Sequence, residues 1–268
     1  SDVLPSACDD GRVSWFVNAA AAETDSWLER VVSPENSLPA GIEAIAADLD
    51  GDRHLDVVAA SPEIDWFQNN GGNDLNLAFV PRPPVAPYPA AASRGDVAVA
   101  VADLDGDADL DVVAAHWKDD SVAWYENDAS FFRTTKRVVT ADRRGVRGVR
   151  AADVDGDERS DVLTSACDDG RVSWFVNAAA AETDSWLERV VSPENSLPAG
   201  IEAIAADLDG DRHLDVVAAS PEIDWFQNNG GNDLNLAFVP RPPVAPYPAA
   251  ASRGDVAVAV ADLDGDAD

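Results

Sequence analysis

Asp48-Leu49-Asp50-Gly51-Asp52-Arg53-His54-Leu55-Asp56 is the stretch that decides the fold. Its pattern, D-x-D-G-D-x-x-x-D, returns at Asp103–Asp111, Asp153–Asp161 and Asp207–Asp215, and a truncated copy runs from Asp262 to Asp268. The starts lie 55, 50, 54 and 55 residues apart. A period near 50 residues marks a solenoid, a propeller or an array. A longer repeat contains the shorter one. Residues 1–109 recur as 160–268, and the two copies differ only at Pro5 against Thr164.

Working outward from the first acidic loop, Gly41–Ala47 is short, apolar and bounded by turn residues, as a buried strand is. Leu55–Ala60 reads as a second strand, and Ser61-Pro62-Glu63 as a turn. Ile64–Gln68 alternates and is aromatic, which makes a third strand. After the turn Asn69–Asp74, Leu77–Val80 makes a fourth. Helical periodicity is sustained nowhere, and the one helix-like stretch, Ala19–Glu29, sits where the other repeats have a turn and a strand start. Four short strands per repeat predict an all-β, five-bladed β-propeller with four-stranded blades, formed by residues 1–268 as a single domain.

The ends continue the pattern. Setting Ser1 after Asp268 gives D-L-D-G-D-A-D-S-D, with Asp2 as the ninth residue. The expected ring closes by pairing the C-terminal strand with three N-terminal strands, which removes open sheet edges. Each third strand carries an aromatic signature: Trp15-Phe16-Val17-Asn18, Trp66-Phe67-Gln68-Asn69, Trp124-Tyr125-Glu126-Asn127, Trp174-Phe175-Val176-Asn177 and Trp225-Phe226-Gln227-Asn228. These tryptophans are expected to pack blade against blade.

The chain has 268 residues, 19 basic and 50 acidic, for a net charge of −31. That balance excludes nucleic acid as a general partner, because phosphate binding needs a basic footprint. It also excludes adsorption to an anionic membrane. No apolar run reaches the ~20 residues that span a bilayer, so no membrane insertion is expected. Ser1-Asp2-Val3-Leu4 does not read as a signal peptide, and the lack of methionine suggests a processed, excised or designed piece. Cys8 and Cys167 hold equivalent places in different repeats, so no disulfide is expected between them.

Aspartates at positions 1, 3, 5 and 9 of one tight loop repel each other unless a cation gathers them. Dense carboxylate oxygens suit Ca²⁺, with a backbone carbonyl and water filling its coordination. The expected ligands are Asp48, Asp50, Asp52 and Asp56; Asp103, Asp105, Asp107 and Asp111; Asp153, Asp155, Asp157 and Asp161; Asp207, Asp209, Asp211 and Asp215; and Asp262, Asp264, Asp266 and Asp2. Position 7 would supply the carbonyl: His54, Asp109, Arg159, His213 and Asp268. An EF-hand needs glycine at position 6, glutamate at 12 and flanking helices, and none of these is present. Positions 1, 3, 5 and 9 of the five loops hold 20 of the 50 acidic residues, and about one Ca²⁺ per blade would bring −31 to −21.

The D-x-D-G-D-x-x-x-D loop followed by a Trp-aromatic-x-Asn strand resembles the FG-GAP/VCBS repeat family, the integrin-α-like β-propellers. The resemblance spans the whole chain. It implies calcium in the loop joining strands one and two, held by the aspartates at positions 1, 3, 5 and 9. Two departures stand out. The family often has glycine at position 6, where this chain has Arg53, Ala108, Glu158, Arg212 and Ala267. Family propellers commonly have seven blades.

The residues present once lie in 110–159, and include His116, Trp117, Lys118, Arg143, Arg144, Arg147 and Arg150. Their loops share the propeller face opposite the acidic loops, where they would offset the acidity or form a pocket for an acidic or sugar-like group. The expected function is a calcium-binding, non-enzymatic interaction or adhesion scaffold, monomeric, extracellular or at the cell surface, with a protein or glycan ligand. A carbohydrate-binding lectin is the alternative. A glycoside hydrolase rests on fold analogy alone, and no unique carboxylate pair supports it.

Overall fold

The structure is a computed structural model. It describes residues 3–5, 11–18, 27–33, 38, 43–60, 63–71, 79–86, 97–128, 131–133, 135–178, 186–194, 196–197, 202–219, 222–230, 238–244 and 259–260. Among these, every element is a strand except one 3₁₀ turn, Trp117–Asp119.

In the first sheet β1 (Ser14–Asn18) pairs antiparallel with β2 (Trp27–Val31), and Val3 bridges Phe16 on the other edge of β1. The second sheet runs β3 (Glu43–Ala47), β4 (Asp56–Ala60), β5 (Ile64–Asn69) and β6 (Phe79–Pro81) in spatial order. The third holds β7 (Val97–Ala102), β8 (Asp111–His116), β9 (Ser121–Tyr125) and β10 (Arg137–Thr140). The fourth holds β11 (Val146–Ala152), β12 (Asp161–Ala166), β13 (Arg171–Asn177) and β14 (Trp186–Ser192). The fifth holds β15 (Glu202–Ala206), β16 (Asp215–Ala219), β17 (Ile223–Asn228) and β18 (Phe238–Pro240). The chain is thus all-β, with the repeated four-stranded antiparallel sheets of a β-propeller. The strand expected to complete the first sheet falls largely outside the described residues.

Second strands such as β4 and β8 are buried along their whole length. On β4, Val57 and Ala59 enter one core and Val58 and Ala60 another, so the strand reads as an unbroken apolar run rather than an alternating one. Third strands sort their side chains by the two-residue period of a strand. On β5, Ile64 and Trp66 enter one core and Phe67 enters another.

The helix-like stretch Ala19–Glu29 runs into a strand. Trp27, Leu28 and Glu29 belong to β2, paired with Asn18, Val17 and Phe16, because sheet pairing overrides local propensity. Residues 19–26 lie outside the described residues.

The chain divides into two compact units. One comprises Ser1–Val101, Asp107–Ala114 and Trp124–Arg137; the other comprises Ala102–Gly106, Ala115–Ala123 and Val138–Asp268. The first unit holds two cores. In one, Val13, Val32 and Trp15 meet Val57, Ala59 and Phe67. In the other, Val58 and Trp66 meet Val99, Val112 and Phe132. The second unit packs Leu163, Val172 and Trp174 against Val216, Ala218 and Phe226. In each core a third-strand tryptophan meets edge-on a phenylalanine of the following repeat. The pairs are Trp15–Phe79 at 5.9 Å, Trp66–Phe132 at 5.4 Å and Trp174–Phe238 at 5.9 Å. Such pairs are worth about 1 kcal/mol beyond the area they bury.

Candidate metal centre

The acidic loops join the first and second strands of each sheet. Their tight path needs left-handed backbone at two places. Position 4 is glycine, with φ of 74°, 83°, 78° and 76° at Gly51, Gly106, Gly156 and Gly210. Position 6 is also left-handed without being glycine, at Arg53, Ala108, Glu158 and Arg212, with φ of 72°, 75°, 69° and 72°. That backbone costs a residue with a Cβ roughly 1–2 kcal/mol.

The carboxylates hold the turn by accepting from its N–H groups. In the first loop Asp48 Oδ2 accepts from Arg53 (2.9 Å), Asp50 Oδ1 from Asp52 (3.1 Å) and Asp52 Oδ1 from His54 (2.8 Å). In the third, Asp153 accepts from Gly156, Asp157 and Glu158 at 2.8, 3.0 and 2.9 Å, and Asp157 from Arg159 at 3.0 Å. The other two loops repeat the scheme.

These bonds leave oxygens to spare. Asp48, Asp50 and Asp52 bring one carboxylate oxygen each within 4.8 Å of the others, and so do Asp207, Asp209 and Asp211. In the second and third loops the gathered sets are Asp103, Asp105 and Asp111, and Asp153, Asp155 and Asp161. Asp48 Oδ1 is buried without a hydrogen-bond partner. An orphaned buried oxygen among hard oxygen donors fits a Ca²⁺ ligand set. When bound, such an ion would supply positive charge against carboxylate repulsion.

The ninth aspartate does structural work as well. Asp56, Asp111, Asp161 and Asp215 are all 0% exposed. Asp56 accepts from the Leu49 N–H at 3.2 Å and the Asn69 N–H at 2.7 Å, so it ties the loop to the end of β5. Asp161 and Asp215 make the same pair of bonds. Burial pushes the Asp56 carboxyl up to about 6 and the Asp161 carboxyl up to about 7, against the pull of these N–H groups. Burial also raises Asp155, helped by the charges of Asp157 and Asp153. Asp52 and Asp211 go the other way, lowered first by the backbone N–H of His54 or His213 and then by its imidazole.

At position 7, His54 Nδ1 lies 3.1 Å and His213 Nδ1 3.2 Å from the carboxylate of position 5, and Arg159 Nη2 bonds Asp157. The His54 ring lies so close over Gly71 that a Cβ there would stand 2.4 Å from Nε2. Gln68 and Gln227 donate to Asp50 and Asp209 from the third strands. Asp109 donates its N–H to Asp107 at 2.9 Å. The fifth set, Asp262, Asp264, Asp266, Asp268 and Asp2, lies outside the described residues.

The asparagine closing three of the aromatic signatures has a role the sequence alone did not disclose. Asn127 Nδ2 donates to Leu110 O in its own loop and to Leu49 O in the loop of the preceding sheet. Asn177 reaches Ser160 O and Leu104 O, and Asn228 reaches Leu214 O and Val154 O. The recurrence of this asparagine was visible; its partner, more than 70 residues away, was not.

The unrepeated arginines are engaged. Arg143 is 1% exposed, bonds Glu188 at 2.5 Å and lies over the Phe175 ring. Its Nε and Nη1 have no hydrogen-bond partner. Burial works to raise Glu188, but the Ser173 hydroxyl and the Arg143 and Arg171 guanidinium groups hold it below its ordinary value. Arg144 pairs with Glu194 and Arg150 with Glu202, while Arg147 covers Trp117 at 4.5 Å. Cys167 is a free thiol; Cys8 lies outside the described residues.

The FG-GAP-like repeat matches residues 48–114, 103–164, 154–218 and 207–268. No curated protein matches the sequence. Among solved structures the chain is similar to an Agrocybe aegerita lectin described as specifically recognising non-reducing terminal N-acetylglucosamine. The two share 20% identity with a TM-score of 0.57, over 88% of this chain and 61% of the lectin. The chain therefore spans about three fifths of the lectin's length, and at this identity the likeness is one of fold. With four matched repeats running from residue 48 to residue 268, the chain belongs to the FG-GAP-like repeat family.

Proposed function

We propose that the protein is a calcium-stabilised, non-enzymatic recognition scaffold. Its five sheets form one ring and one domain, each acidic loop holds one Ca²⁺, and the monomer presents loops to a protein or glycan ligand. The observation that carries the reading is the Asp48, Asp50, Asp52 cluster with its orphaned Asp48 Oδ1, repeated as an acidic cluster in three further loops. Positions 1, 3, 5 and 9 are the ligand positions, and position 7 adds its carbonyl. Extracellular calcium modules fill at about millimolar Ca²⁺, which supports a location outside the cell or on its surface.

The test is a melting curve in calcium, in EDTA and after calcium is restored. A midpoint that falls on chelation and recovers on add-back supports the reading. An unchanged midpoint removes the structural role of the metal. Calorimetric titration then counts the sites.

A lectin is the second reading, favoured by the exposed Arg147 stacked on Trp117 and by the fold shared with a lectin. A glycan array decides between protein and sugar as ligand. Turnover of a glycoside would overturn the non-enzymatic reading.

A further inference from the structure

The aspartate at position 5 keeps different company in different loops. In the first loop the two groups of His54 share one oxygen of Asp52. The His54 N–H donates to Oδ1 at 2.8 Å, and ring Nδ1 lies 3.1 Å from the same atom. His213 and Asp211 repeat this in the fourth loop, at 2.8 and 3.2 Å. Asp52 and Asp211 each stand in the gathered carboxylate set of their loop. In the third loop Arg159 takes both oxygens of Asp157. Its N–H donates to Oδ1 at 3.0 Å, and its Nη2 pairs with Oδ2. The gathered set there is Asp153, Asp155 and Asp161. The guanidinium is held from a second side as well, because Nε donates to Asn177 O, at the end of β13, at 3.0 Å.

The residues around each loop agree with its position 7. Gln68 and Gln227 donate to the position 3 aspartates of the first and fourth loops, whereas the matching residue of β13 is Val176, which has no side-chain donor. A Cβ on Gly71 would run into the His54 ring, and one on Gly230 into the His213 ring. The sequence has Ala179 at that place after Asn177.

We propose that Arg159 is a tethered cation of the third loop. It neutralises Asp157 while the loop holds no metal, and a calcium ion must draw Asp157 away from it to use that carboxylate. The third loop is therefore the weakest calcium site of the four described, and the one that depends least on the ion. A guanidinium and a divalent cation compete for the same oxygens, and their like charges repel. An arginine keeps its charge at every working pH, whereas an imidazole sheds it. In the second loop position 7 is an acid, Asp109. The Arg159 side chain is 41% exposed and that of Asp157 28%, so the pair is screened by water and calcium can displace it.

This inference rests on the calcium reading above and adds an order of filling to it. The experiment is calorimetric calcium titration of the full chain, with melting curves in EDTA and in saturating calcium, for the wild type, Arg159→Gln and Arg159→Lys. In the wild type one site should stand apart as the weakest. Arg159→Gln, which keeps a donor and drops the charge, should tighten that site on the order of 10-fold and leave the others alone. Its melting midpoint should fall by on the order of 1–2 °C in EDTA, where the tethered charge is lost, and should not fall in calcium. Arg159→Lys should keep the weak site. A midpoint lowered equally in both media marks a merely structural arginine and overturns the proposal. Calcium binding that Arg159→Gln leaves unchanged overturns it too, with the calcium reading intact. A wild type that takes up no calcium and ignores EDTA overturns both.

Discussion

Asn127 reaches across 78 residues of sequence to donate its side-chain amide to Leu49 O at 2.7 Å, while its backbone N–H holds Asp111 at 2.9 Å. One side chain therefore fastens two acidic loops. Asn127→Ala takes the donor from the buried Leu49 carbonyl and the partly buried Leu110 carbonyl and should cost roughly 1–3 kcal/mol. Asn127→Asp, which cannot donate when ionised, should cost at least as much. Urea denaturation of the three proteins checks this; an Asp variant as stable as the wild type contradicts it.

Ala108 holds position 6 of its loop at φ 75°. Ala108→Gly removes the clash of Cβ with that backbone, while the unfolded chain gains entropy. The net effect should be a stabilisation of about 0.5–1 kcal/mol. A thermal melt with and without calcium would show it in both states, since the strain belongs to the chain and not to the ion.

Arg143 is buried against Glu188 and lies 3.9 Å from Asp169, itself 5% exposed. Arg143→Ala leaves the buried Asp169 carboxylate without that neighbouring charge and should cost roughly 3–5 kcal/mol. Combining it with Asp169→Asn should recover part of the loss. Denaturant unfolding of the single and double variants measures the coupling, and additive effects would show that the pair is not energetically linked.

Asp65 carries a pH signature away from the metal loops. Burial first, and the Glu63 charge second, push its carboxyl up to about 6. An acid whose folded-state value lies above its unfolded one, about 3.9, favours the folded state when protonated. Its contribution is greatest below about pH 4, is lost as pH rises from about 4 to about 6, and stays lost above. Asp65→Asn should therefore melt above the wild type at pH 7.5, with the gap shrinking toward pH 4. A gap that does not change with pH rules this origin out.

The strands were legible because their causes are local. Asp56-Val-Val-Ala-Ala60 and Ile64-Asp-Trp-Phe-Gln68 declare themselves by apolar content and alternation, and their observed bounds differ by a residue or so. The acidic loops declared by their spacing that their carboxylates gather. The dual duty of Asp56 was not legible, because its N–H partners, Leu49 and Asn69, are chosen by the fold. Nor was the burial of Arg143: an arginine next to Arg144 reads as surface, and only the distant Glu188 and Phe175 make it interior.

Trp15 and Trp174 sit in the same local sequence with different shielding. The molecule thus carries its own matched control. A fluorescence lifetime, a quenching rate or an oxidation yield compared between these two indoles cancels everything that sequence contributes and reports neighbourhood alone. A change introduced at both positions also separates what a residue is worth from what its surroundings make of it, inside one molecule and one sample.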